Sequence, residues 1–280
     1  MNDETVKQPI VNLPDKKEIP IAITFLVFFA VPFTLGILVK YQALGIWISA
    51  IILLLLTWRF YARDKGTLAE LGLNTHRRNL GFLALGILVG CIFFALLFII
   101  QMSSNSIQVE INKDVSYFSI ALGLFLLAPA VVVEELIFRG YCFKKFVVKA
   151  GIIKANIVFA LLFLVWHWIA FNAWGNIGMM IGLLTTCFGH LLFSSALMKS
   201  GTLYFPIGIH LGNNWTSHHF FASSTGGINT QGSDESFFIV TKNNYELPQV
   251  NNVLAYTATL AYMLIFIWII WRWKFVSTRG

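Results

Sequence analysis

Three short clusters in this 280-residue chain combine residue types that do acid–base chemistry. The first reads Glu134-Glu135-Leu136-Ile137-Phe138-Arg139, the second Phe163-x-x-x-His167, and the third His210-x-x-x-Asn214. In a helix Glu135 and Arg139 share a face and can pair. Glu134 stands five residues before Arg139, about 140° round the helix, and is free to point elsewhere. His210 and Asn214 share a face by the same four-residue spacing, and Gly212 between them allows close backbone approach. A carboxylate in a low-dielectric site is a better base than one in water. A neighbouring imidazole can help activate a water, while a second imidazole and a carboxamide can donate to a developing oxyanion. Glu134 and His167, facing His210 and Asn214, therefore suit hydrolysis of an amide. The same groups also allow a structural ion network, interhelical hydrogen bonds, or a zinc site made of Glu134, His167 and His210. Asn214 is a poor zinc ligand and a good donor, so the expectation is no metal and no cofactor. Neither HExxH nor GxSxG occurs, the usual zinc-protease and serine-hydrolase signatures.

The elements that carry these clusters are membrane spans. Only 12% of the residues are charged and 57% are hydrophobic, about half the charge of a soluble domain. Residues 155–198 hold no Asp, Glu, Lys or Arg, enough for two spans of about 20 residues each. Soluble enzymes, nucleic-acid binders and disordered chains are excluded. Eight apolar stretches lie near 20–39, 44–61, 80–101, 117–138, 156–173, 177–198, 202–222 and 253–273. The fold expected is an all-α, polytopic bundle of about eight transmembrane helices. Under this layout 17 of the 20 Lys and Arg residues fall on the side of the two termini, which places both termini in the cytoplasm. The chain then divides into a polar cytoplasmic tail (1–19), a three-span region (20–116), a core holding the clusters (117–222), an extracytoplasmic loop (223–252) and a last span with the C-terminus (253–280). Counted from the nearest basic residues, Glu134, His167 and His210 all lie roughly 15–20 Å deep. An ionisable group at that depth is costly and is a functional candidate by default. His190 is expected to be a hydrogen-bonded core residue, His218 and His219 to sit at the outer interface, and Cys91, Cys142 and Cys187 to be buried small hydrophobes.

The ordered set of Glu134-Glu135-x-x-x-Arg139, Phe163-x-x-x-His167 and His210-x-x-x-Asn214 resembles the CPBP family, the CAAX-protease and bacteriocin-processing (Abi) membrane endopeptidases. The resemblance covers roughly residues 117–220 and leaves the first three spans and the 223–252 loop unmatched. It implies an intramembrane endopeptidase in which Glu134, assisted by His167, acts on water, and His210 and Asn214 stabilise the oxyanion. Glu135 and Arg139 are implied as supporting residues. It also implies a glutamate-dependent mechanism without metal, with zinc as the older alternative. The partners expected are a membrane-associated peptide or lipidated protein substrate and membrane lipids, with no nucleic acid. The location expected is a prokaryotic plasma membrane. Two other functions fit the same polar layer: a proton-coupled transporter, and a non-catalytic immunity or scaffold protein.

Overall fold

The computed structural model describes residues 19–39, 42–104, 107–221, 236–242 and 249–273. The tail at 1–18, most of the 223–252 loop and the end of the chain from 274 lie outside the described residues. The chain forms α1 (Ile21–Leu38), α2 (Gln42–Arg63), a 3-10 turn (Leu68–Leu71), α3 (Arg77–Ser104), β1 (Ile107–Ile111), α4 (Tyr117–Phe138), α5 (Tyr141–Ala150), α6 (Ile152–Ala170), α7 (Ile177–Gly182), α8 (Thr185–Ser200), α9 (Tyr204–His219), β2 (Phe238–Lys242) and α10 (Gln249–Arg272). It is an all-α polytopic bundle with one small two-stranded ribbon.

Seven stretches among the described residues are long and apolar enough to cross a membrane. The eighth expected span, α9, has 16 residues. Its centre is enclosed: Phe205–Gly212 are all buried. The span expected at 177–198 is broken at Leu183-Leu184 into α7 and α8. The hydroxyls of Thr185 and Thr186 donate to the carbonyls of Gly182 and Leu183 at this break, supplying partners where the helical ladder is interrupted. The segment after Arg139, read as a loop, contains α5. Residues 238–242, inside the segment read as a solvated loop, form β2, which pairs antiparallel with β1 from Ile107↔Lys242 to Ile111↔Phe238. Phe237 and Phe238 donate their N–H groups to the carbonyls of His219 and Phe220, fixing the ribbon to the end of α9.

The tightest packing in the bundle is between α3 and α9. Gly86 and Gly90 on α3 face Gly208 and Gly212 on α9. A Cβ on Gly90 would stand 2.1 Å from the Ile209 carbonyl oxygen, and one on Gly212 would stand 2.1 Å from that of Ile87. Small residues spaced four apart on both helices let the two backbones touch, the packing that replaces the hydrophobic drive inside a bilayer. The helix carrying His210 and Asn214 is thus held by an element outside the three clusters.

Candidate active site

Glu134 and Glu135 lie in the last turn of α4, before the chain leaves the helix at Arg139. Glu135 and Arg139 are fully buried, with Nη1 3.1 Å from Oε1, the pair expected from their spacing. The same Glu135 Oε1 lies 2.9 Å from Nδ1 of His210, arriving from α9. One carboxylate oxygen therefore holds both a guanidinium and an imidazole. The guanidinium carbon lies 4.2 Å from the ring centroid of Phe163 and 5.0 Å from that of Phe193, distances at which a desolvated cation is attracted to a ring face.

Glu134 points to the other side. Its Oε1 accepts from the indole N–H of Trp166 at 3.3 Å. Its Oε2 is buried, has no hydrogen-bond partner among the described residues, and lies 3.8 Å from Nε2 of His210. That separation is too long for a direct hydrogen bond. An oxygen placed off the line between them could reach both at about 2.8 Å.

His167 uses Nδ1 on the carbonyl of Phe163 at 2.8 Å. A carbonyl only accepts, so Nδ1 carries the proton and Nε2 presents a lone pair. Its ring is within electrostatic range of Glu134 and His210. Asn214 accepts at Oδ1 from Asn213 Nδ2 at 3.1 Å, which leaves its own amide nitrogen for another acceptor.

A cleft of about 210 Å³ opens beside this cluster, lined by Phe163, Phe193, His210 and Asn213 and walled by α3 and α10. Of the expected residues only His210 lines it; Glu134, His167 and Asn214 do not. The structure thus brings Glu134, Glu135, Arg139 and His210 into contact, sets His167 in electrostatic range, and places Asn214 one turn beyond His210. Among the described residues no three His, Cys, Asp or Glu side chains gather as a metal site, and Nδ1 of His210 is already taken by Glu135.

Two minor expectations change. His190 is fully buried, but its ring nitrogens have no partner among the described residues. It sits instead among the rings of Phe143, Phe159 and Phe163. His219 is buried at the end of α9, its ring close to Gly123 of α4. Cys142 is buried, whereas Cys91 and Cys187 are half-buried, with their thiols 3.6 Å from the carbonyls of Gly212 and Ala160. Trp166, Phe193 and Asn213 are site residues that the sequence reading missed.

Residues 114–216 match the family model described as type II CAAX prenyl endopeptidase Rce1-like. The match covers less than half of the chain, and this region is similar to that family. All six expected site residues fall within it, while α3 and α10 lie outside it. The match supports a CAAX-type endopeptidase, hence a hydrolase, and the apolar helices make the chain an integral multi-pass membrane protein. No curated protein and no solved structure gives a significant match.

Proposed function

We propose that the Rce1-like domain hydrolyses a peptide bond of a membrane-associated peptide or lipidated protein, with Glu134 as the base. The observation that carries this reading is the facing pair of Glu134 Oε2 and His210 Nε2, both at one polar spot inside an apolar bundle. A water bound to Oε2 gives its proton to Glu134 as its oxygen attacks the carbonyl carbon, and Nε2 of His167 helps to orient that water. The carbonyl oxygen becomes an oxyanion beside Nε2 of His210 and the amide of Asn214. Glu134 then passes the proton to the leaving amine.

Glu135, held by Arg139, takes Nδ1 of His210 and leaves Nε2 to face the oxyanion. No step requires a metal.

The test is mass spectrometry of the products when the purified chain is given two peptides. One is a C-terminal CAAX peptide carrying a prenyl group, and the other is its unmodified counterpart. Cleavage after the modified cysteine, lost in Glu134→Ala and His167→Ala, is the expected result. Equal cleavage in both variants would sink the assignment. Cleavage of the unmodified peptide alone would keep the enzyme and remove the lipidated substrate.

A further inference from the structure

We infer that Phe193, a residue of α8 outside the three clusters, is the positioning residue that fixes the plane of His210. This inference rests on the endopeptidase reading above.

Among the described residues His210 has one close polar contact, Nδ1 on Glu135 Oε1 at 2.9 Å. A hydrogen bond through one ring atom aims that atom and leaves the ring free to tilt about it. The Phe193 ring lies parallel to the imidazole, with centroids 4.6 Å apart and planes 17° apart. Stacking over the face removes the tilt that the hydrogen bond permits. The same Phe193 ring lies 5.0 Å from the guanidinium carbon of Arg139, and Arg139 holds Glu135 at 3.1 Å.

The four side chains form a closed circuit: His210 to Glu135, Glu135 to Arg139, Arg139 to Phe193, and Phe193 back to His210. Without Phe193 the circuit is open, and the imidazole, carried by α9, keeps Glu135 on Nδ1 and the Phe163 ring at 6.5 Å but no ring stacked on its face. With it, α8 locks the ring whose far nitrogen faces Glu134 Oε2 at 3.8 Å. Phe193 is almost fully buried, with 6% of its surface exposed.

Three substitutions test the role. Phe193→Leu keeps an apolar side chain and removes the flat face, whereas Phe193→Tyr and Phe193→Trp keep the face. Phe193→Leu is expected to lower kcat roughly 10- to 100-fold, the scale on which a 1 Å misplacement acts. KM should change by less than about threefold, since the loss is confined to the transition state. The Tyr variant should restore most of kcat. A rise in KM with kcat unchanged would make Phe193 only a wall of the adjacent cleft and overturn the proposal. A Tyr variant as slow as the Leu variant would do the same.

The NMR spectrum of histidine-labelled protein, with the His210 signal assigned through His210→Gln, reads the geometry without activity. Wild type and Phe193→Tyr should give one ring-current-shifted signal, and Phe193→Leu a broadened or multiple one. An unaltered signal in Phe193→Leu overturns the proposal whatever the rate does. A wild-type chain that cleaves neither peptide would defeat the endopeptidase reading, and the NMR comparison would still decide the role of Phe193.

Discussion

At the scale of single residues, the pairing of Glu135 and Arg139 follows from four positions of helical spacing, and the freedom of Glu134 follows from the fifth. Both were legible in the sequence. The hold of Glu135 on His210 was not, because it joins residues 75 positions apart and depends on how α4 and α9 pack. Phe193 and Trp166 were hidden for a different reason: in a chain where 15% of residues are aromatic, one more ring carries no signal. The buried pair makes a stability prediction. Removing one partner strands a buried charge and costs about 3–5 kcal/mol, while removing both costs less. Arg139→Leu and Glu135→Leu should each lower the melting temperature in detergent more than the double variant does. Additive losses would show that the two charges do not act as a pair.

At the scale of elements, the apolar helices were legible from their length and lack of charge. The break at Leu183-Leu184 was not, since no proline, glycine or charge occupies those two positions. β2 was missed because a five-residue strand takes its meaning from β1, more than a hundred residues earlier. The glycine contact between α3 and α9 gives the sharpest element-level prediction. Gly90→Ala places a Cβ against the Ile209 backbone, so the helices must part and the helix carrying His210 must move. Peptide cleavage should fall about 100-fold, as for other small misplacements of a reacting group. Gly81→Ala on the same α3 meets open space and replaces a helical glycine, so it should be neutral or stabilising by up to about 1 kcal/mol. Equal activity in the two variants would show that the close approach does not set the site.

At the scale of the whole molecule, contacts between distant loops order the bundle end to end. Leu203 donates to the Leu71 carbonyl, Arg78 to the Ser200 carbonyl, and Tyr141 to Asp64, so three basic loops meet at one end. The β1–β2 ribbon joins the opposite end of α9, about 24 Å away for a 16-residue helix. A layout in which α9 counts as an eighth span predicts this arrangement, with the basic end facing the cytoplasm. In a chain without native cysteines, Lys149→Cys should react with an impermeant thiol reagent from the cytoplasmic side and Lys113→Cys from the other. Labelling of both from one side would break the layout. The role proposed for Glu134 is measured most directly by kcat for Glu134→Gln, which keeps the shape and removes the base. The expected result is a folded protein with kcat lowered about 10²- to 10⁴-fold. A folded Glu134→Gln variant that cleaves at the wild-type rate would rule out Glu134 as the base.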